Sequence, residues 1–274
     1  MRKFGLYLTG VFLSVFFLTS CLEGSNVREE IGYGLLDWGG SNGMTPVLKS
    51  SMGYFSGASV ISLVNNGSMD IGSCYAYYYR IDYDQPENSA SIVDLNGYQT
   101  VTILDYGELS KYYVSPYLSD ITQILPSEMP IMKACNGLDY VLGYLFISHT
   151  VSHPEDWKLT WEMSYDYATL MTPMEGNGKR YYDLYLRARV QTPGEKTSKV
   201  EIPYTNVYYM GDFLSLAASN ERSMLGGSYS ENSSQFTVRF NYVSEFDEEM
   251  NTMTWRNDEV NFFIVEFLET SSLY

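Results

Sequence analysis

An all-β fold, mostly antiparallel, is what this sequence predicts for its mature part, and three observations carry the prediction. Strand-forming residues recur in short runs that alternate with period two. Gly, Asn, Asp and Pro punctuate those runs. Tyrosine is abundant, 26 of 274 residues, within an aromatic content of 16%. Tyr suits pleated, half-buried surfaces. Short strands split by such turns build sandwiches and barrels, and no solenoid-type internal repeat is visible.

The elements follow in order. Residues 33–57 are rich in Gly, Ser and Met and read as loops with one short strand. Ala58 to Val64 is apolar and β-branched, a strand signal, and Asn65-Asn66-Gly67-Ser68 supplies a turn because Asn and Gly tolerate positive φ. Ile71 to Tyr83 is a long strand with Cys74, Ala76 and Tyr78 on one face and Tyr75, Tyr77, Tyr79, Ile81 and Tyr83 on the other. It ends in the turn-forming run Asp84 to Asn88. Gly97 to Leu104 is a further strand, and Asp105 to Tyr113 is another strand or a turn. Prolines 116, 126 and 130, with Asn136 and Gly137, then break the pattern and place a domain boundary within 114–139; Tyr117 to Leu125 is expected to hold one helical turn. Domains at 33–130 and 138–274 result.

In the second half, Leu138 to His149 and Lys158 to Met171 read as strands. Arg180 to Gln191 alternates most cleanly. Tyr182, Leu184, Leu186, Ala188 and Val190 share one face, and Tyr181, Asp183, Tyr185, Arg187 and Arg189 the other, the pattern of a sheet with one wet side. Gly176-Asn177-Gly178 before it predicts a hairpin. Lys199 to Met210 is a broken strand, with Pro203 favouring an edge or bulge. Asp212 to Met224 is the one helical stretch, and Gln235 to Val243 and Val260 to Leu268 close the chain as strands.

The N-terminus reads as a processing segment. Arg2 and Lys3 precede an uncharged apolar run from Phe4 to Leu18, and Leu18-Thr19-Ser20-Cys21 has the lipobox form. The run is shorter than the roughly 20 residues a spanning helix needs. Residues 1–20 are thus expected to be a lipoprotein signal peptide, Cys21 the lipidated residue, and 21–32 the tether. Two or more acyl chains give durable membrane attachment where one gives only marginal binding. Leu22 stands where an Asp would mark inner-membrane retention, so the outer membrane is expected; Glu23, Glu29 and Glu30 supply only part of a surface-export signal, and the periplasmic and surface faces both stay open.

Beyond residue 20 the chain holds 15 Lys+Arg against 33 Asp+Glu, a formal charge of −18. Such a surface repels phosphate backbones and lacks the basic footprint of a nucleic-acid binder. Cys74 and Cys135 are left once Cys21 is acylated. An oxidising compartment permits a disulfide between them; two small buried hydrophobes are the alternative.

No catalytic constellation is legible. His149 and His153, the two histidines, would stand about 13 Å apart on a strand, too far to share an ion; a surface loop is the simpler reading, and neither a metal nor a cofactor is expected. Nucleophile elbows, phosphate loops and dinucleotide fingerprints are missing. Asp156 and Glu162 flank Trp157 and Trp161, a layout able to line a sugar cleft, although core or rim aromatics are the commoner explanation. Asp247-Glu248-Glu249 and Asp258-Glu259 lack the calcium-loop spacing and fit a solvated hairpin tip.

With its lipobox at Leu18 to Cys21, its Tyr-rich strand from Cys74 to Tyr83 and its closing strand from Val260 to Leu268, the chain resembles uncharacterised lipoproteins of gut Bacteroidota and, more loosely, the NigD-like group. The resemblance implies an OB-like barrel (or small sandwich) followed by a β-sandwich. It lends no functional residues, and the loop-rich entry at 33–57 departs from the layout. The expected function is a non-enzymatic, membrane-anchored accessory protein of the cell envelope that binds a glycan, with Trp157 and Trp161 as candidates, or a protein partner. A glycan hydrolase with paired carboxylates and a pilin-like structural subunit are the alternatives.

Overall fold

The computed structural model describes residues 26–118, 120–176, 179–247 and 252–268. The expected signal peptide and Cys21 lie outside them, as do Asn177 and Gly178 of the expected turn and the acidic pair Glu248-Glu249. The chain divides into two compact units between Lys111 and Tyr112, with Asp139–Val141 counted to the first. The expected division lay further along, within 114–139.

The first unit contains β1 (Val27–Gly39), β2 (Thr45–Ser50), β3 (Gly53–Ser56), α1 (Ala58–Asn65), β4 (Cys74–Asp82), α2 (Ala90–Asn96), β5 (Gln99–Thr100) and β6 (Thr102–Glu108). The strands make one sheet in the order β5-β3-β2-β1-β4-β6, antiparallel throughout except for the β3–β5 pair. β1 curls the sheet: its first part pairs with β4, its last part with β2, and Leu35 is opposed by both Cys74 and Lys49. Glycine makes this possible. A Cβ at Gly34 would lie 2.6 Å from the Lys49 carbonyl oxygen, and one at Gly32 would lie 2.8 Å from the Tyr77 ring. β1 therefore occupies part of the expected tether and of the segment read as loops.

Alternation in β4 places the core as expected. Tyr75, Tyr77, Tyr79 and Ile81 are buried with Leu36, Leu48 and Phe55, while Tyr78 and Arg80 face solvent. The Phe55 ring packs 4.9 Å from that of Tyr79. The expected strand at Ala58 to Val64 is instead the helix α1. Val60 is buried and Leu63 and Val64 pack on the same core, the three- and four-residue offsets of a helical stripe. A short continuous apolar run does not distinguish helix from strand. The Ser59 hydroxyl then accepts from the Ile103 N–H at 2.8 Å, tying α1 to β6.

The remaining elements are β7 (Lys111–Tyr113), β8 (Glu128–Met129), β9 (Ile131–Val141), β10 (Tyr144–Pro154), β11 (Lys158–Ser164), α3 (Tyr167–Met171), β12 (Met174–Gly176), β13 (Lys179–Thr192), β14 (Lys199–Tyr209), α4 (Gly211–Leu225), β15 (Gln235–Asp247), β16 (Thr252–Phe263) and α5 (Val265–Leu268). They build a four-stranded sheet, β7-β14-β10-β9, and a second sheet, β11-β13-β15-β16, with β8 and β12 also paired to β13. Leu142 and Gly143, both at positive φ (48° and 86°), connect β9 to β10, so the strand expected from Leu138 to His149 is two strands. β14 runs unbroken through Pro203, which sits opposite Thr150. Tyr117 to Leu125 holds no helical turn among its described residues, the strand expected through Met171 gives way to α3, and the closing strand ends at Phe263. β12 and β13 do pair as a hairpin. α4 appears where expected, burying Phe213, Leu214, Ala217, Ala218 and Glu221.

The largest correction concerns β13. Its expected wet face is covered: Tyr181, Asp183 and Arg187 are all buried, like Tyr182, Leu184, Leu186 and Ala188 opposite. β13 pairs in parallel with β15 and antiparallel with β11, and the charges on the covered face are paired there.

Candidate functional site

The first unit carries an open cleft of about 380 Å³ along the β3–β5 edge. Met52, Gly53, Tyr54 and Phe55 line it from the β3 side, and Val93, Gly97, Tyr98 and Gln99 from the side of α2 and β5; the Phe55 ring itself is buried in the core. Parallel pairing sets Phe55 opposite Gln99. The β5 side is fixed by Asn88. Its Nδ2 donates to the carbonyls of Asp82 (2.9 Å) and Thr100 (3.0 Å), and its Oδ1 accepts from the Thr100 N–H (2.8 Å). α2 ends at Gly97, which adopts the left-handed conformation (φ 75°), the usual use of glycine at a helix C-terminus. Ser41 N–H donates to the Asn96 carbonyl at 2.8 Å, anchoring that end of α2 to the β1–β2 turn. Tyr54 is 46% exposed and Met52 49%. No lining residue is charged.

In the second unit, Trp161, His149 and His153 fall in the core, while Asp156, Trp157 and Glu162 are half-buried. Trp161 is 5% exposed and stacks on His149 at a centroid distance of 4.8 Å, with Tyr204 at 5.5 Å. It packs the two sheets together and presents no platform to a ligand. Trp157 is half-buried, and its indole N–H is buried without a hydrogen-bond partner among the described residues. Asp156 Oδ2 accepts from the Glu195 and Lys196 N–H groups at 2.6 and 2.9 Å, which hold its carboxyl below the usual range. Glu162 lies 3.6 Å from Arg189.

His149 and His153 are on β10 and fully buried, not in a surface loop. His149 Nδ1 donates to the Ala134 carbonyl, so its Nε2 accepts from the Tyr208 hydroxyl at 3.1 Å. His153 repeats the arrangement, Nδ1 to the Pro154 carbonyl at 2.7 Å and Nε2 to the Tyr204 hydroxyl at 2.6 Å. Desolvation lowers His149 to about 4 and also lowers His153, while burial pushes Tyr204 up to about 12. Among the described residues, no group of three or more His, Cys, Asp or Glu side chains could hold a metal ion. Cys74 and Cys135 are free thiols, one in each unit. Burial raises each to about 11, and the Cys135 N–H donates to Asp258 Oδ2 at 3.0 Å.

Sequence reasoning missed both the cleft and the buried polar groups of β13. Arg239 binds Asp183 through two hydrogen bonds of 2.6 and 2.7 Å, and Asn241 Nδ2 reaches the same carboxylate at 2.7 Å. Arg187 and Glu128 form an ion pair at 3.2 Å, their side chains 2% and 0% exposed. Burial pushes Glu128 up, against the pull of the Leu125 N–H and of Arg187. Arg187 also donates to the carbonyls of Asp120 and Gln123 at 3.1 Å and lies 5.5 Å from the Trp255 ring centroid. Arg180 and the Tyr182 hydroxyl both donate to the buried Glu221.

The curled first sheet, opened by a strand paired along both halves, and the facing sheets of the second unit define an all-β protein whose first unit is of OB type. Residues 24–107 match the model of the lipoprotein OB domain, so the first unit is similar to the OB domain of membrane-associated lipoproteins. Among solved structures, the chain is similar to an uncharacterised protein from Parabacteroides merdae ATCC 43184 (TM-score 0.69, 21% identity, covering 86% of this chain and 99% of that one). It is also similar to a protein described as toxin-related from Parabacteroides distasonis ATCC 8503 (TM-score 0.50, 10% identity, 89% and 99% covered). A NigD-like immunity protein from Bacteroides caccae ATCC 43185 aligns with TM-score 0.46 at 9% identity, with 88% and 99% covered. At these identities the likeness is one of fold. No curated protein matches the chain. The family match bears out the all-β, OB-like expectation and the resemblance to envelope lipoproteins. Among the described residues, no helix is long and apolar enough to cross a membrane.

Proposed function

We propose that the protein is a lipid-anchored accessory protein of the outer membrane, acylated at Cys21, whose role is to bind a glycan and not to cleave it. The observation that carries the anchor is the lipobox Leu18 to Cys21 standing three residues ahead of the match to the lipoprotein OB domain, which begins at residue 24. Leu22 supports outer-membrane sorting. The binding role draws on the OB fold, which in other proteins presents strands and loops to oligosaccharides. Against hydrolysis, the carboxylates singled out beside the tryptophans have structural partners: two backbone amides hold Asp156, and Arg189 lies beside Glu162. Acid–base cleavage needs a facing pair free to exchange protons.

The anchor is tested by growing cells that express the full chain with an alkyne fatty acid, then fractionating the membranes. The wild-type chain carries label and sediments with the outer membrane; Cys21→Ala loses the label. A processed wild-type chain that is unlabelled and soluble refutes the proposal.

A further inference from the structure

We infer that the cleft on the β3–β5 edge of the first unit is the ligand site, and that it takes uncharged sugar rings. This inference rests on the glycan-binding reading above and assigns it a place and a chemical class.

Three observations carry it. The first is the pairing of an exposed aromatic with open backbone. Tyr54 presents nearly half its surface, and a Cβ built on the neighbouring Gly53 would meet nothing within 4 Å. The peptide of Gly53 is thus open to a ligand beside the exposed Tyr54 side chain. Tyr98 and Gln99 line the cleft from the β5 side. Sugar rings are recognised by such a combination: an aromatic face for the axial C–H groups, and amide and phenol groups for the hydroxyls.

The second observation is charge. Beyond residue 20 the chain carries 33 acidic residues, yet no Asp, Glu, Lys or Arg lines this cleft. An anionic polysaccharide would meet no cation there and would be repelled by the surrounding net charge. A neutral ligand escapes both penalties. The third is rigidity. Asn88 ties Thr100 of β5, through two hydrogen bonds, to Asp82 of β4, through a third, and α2 is held at its C-terminal end by Gly97 and by Ser41. Binding on a preformed wall avoids the cost of ordering it. At about 380 Å³ the cleft sits near the lower end of small-molecule sites. Its open side lets a longer chain extend past, so it would grip one or two residues of a polysaccharide.

The test uses the soluble chain beginning after Cys21, titrated calorimetrically and by affinity electrophoresis with maltoheptaose, cellohexaose, laminarin and yeast mannan, and with polygalacturonate as the anionic probe. Tyr54→Ala, Tyr98→Ala and Tyr54→Trp are compared with wild type, each checked for an unchanged melting temperature. Expected are saturable binding of at least one neutral glycan, a loss of tenfold or more with Tyr54→Ala and with Tyr98→Ala, retention with Tyr54→Trp, and no binding of polygalacturonate. Neutral-glycan binding that both alanine variants leave intact overturns the site and keeps the glycan-binding reading. Binding confined to polygalacturonate overturns the chemical class. Failure of every probe overturns the inference together with the glycan-binding reading, and leaves the lipid anchor, tested separately, untouched.

Discussion

Acid should destabilise the second unit through His149 before most carboxylates titrate. The ring is fully buried, its Nδ1–H donates to the Ala134 carbonyl, and its Nε2 accepts from Tyr208. Protonating Nε2 removes that acceptor and places a cation between Trp161 and Tyr208 with no carboxylate bonded to it. The folded-state value is lowered from 6.5 to about 4. For a group lowered in this way, the unfolded chain binds the proton first. The stability it confers is complete above pH 6.5 and drains away as pH falls toward 4. Linkage gives a loss of about 2 kcal/mol at pH 5 and about 3 kcal/mol at pH 4 from this residue. His153, shifted in the same direction, adds to it. The assay is urea unfolding of the soluble chain carrying Trp38→Phe at a series of pH values, followed by tryptophan emission, since the other three tryptophans, Trp157, Trp161 and Trp255, lie in the second unit and Trp38 in the first. His149→Asn keeps an amide donor near the Ala134 carbonyl and does not titrate. It should be less stable than wild type at pH 7.5, but its stability should fall by about 2 kcal/mol less on going to pH 5. Parallel curves for wild type and variant would refute the reasoning.

In the first unit, Gly34→Ala should cost about 1–3 kcal/mol in urea unfolding, because the new Cβ collides with the Lys49 carbonyl; Gly107→Ala, whose Cβ would meet nothing within 4 Å, should stay within about 0.5 kcal/mol of wild type. Equal effects from the two would show that β1 and β2 are not so close. Arg187→Met strands the buried Glu128 carboxylate and should cost about 3–5 kcal/mol. Adding Glu128→Gln, which still accepts from the Leu125 N–H, should recover most of that loss, and no recovery would sink the ion-pair account. Two thiols per soluble chain should react with iodoacetamide in denaturant without reductant; mass spectrometry finding neither modified would restore the Cys74–Cys135 bridge.

What was legible in the sequence was burial on one face of a strand. Tyr75, Tyr77, Tyr79 and Ile81 announce their face because the residues between them, Tyr78 and Arg80, are exposed, and period-two alternation survives any detail of packing. α4 was legible for the same kind of reason: Phe213, Leu214, Ala217, Ala218 and Glu221 repeat at helical spacing. The failures have separate causes. α1 is a continuous apolar run, which fits both periods. β1 looks like linker because Gly32 and Gly34, the residues that let it curl, carry no side chain to pattern. The cleft was invisible because its walls come from 52–54 and 97–99, joined by a two-residue parallel edge that leaves no local signal. Trp157 and Trp161 drew attention as large aromatics in an acidic stretch, yet a tryptophan fills a core as readily as it floors a groove, and the sequence around it is the same in both cases.

The charged face of β13 misled for a more instructive reason. Asp183, Arg187 and Arg189 alternate with apolar residues as a solvated face would, but Asp183 is 8% exposed and Arg187 3%. The parallel pairing with β15 supplies an account. On the apolar face, Tyr182, Leu184 and Leu186 oppose Val238, Phe240 and Tyr242. A slip of two residues would keep large apolar side chains opposite one another, so hydrophobic burial distinguishes the registers poorly. The polar face distinguishes them sharply. Asp183 stands directly opposite Arg239, with Asn241 bonded to the same carboxylate. A slip of two in either direction sets Asp183 against Thr237 or Asn241 and Arg239 against Tyr181 or Tyr185. The buried Asp183 carboxylate then lacks its guanidinium, at a cost of several kcal/mol. A strand pair that is apolar on both faces would fold with its register loosely specified. The buried charges of the second unit are thus committed to choosing one architecture among near-equals. Acid–base chemistry asks the opposite of an ionisable group, that it be free to gain and lose its proton. That contrast is the physical ground for reading this chain as a binder and for looking to the uncharged edge of its first unit for the ligand.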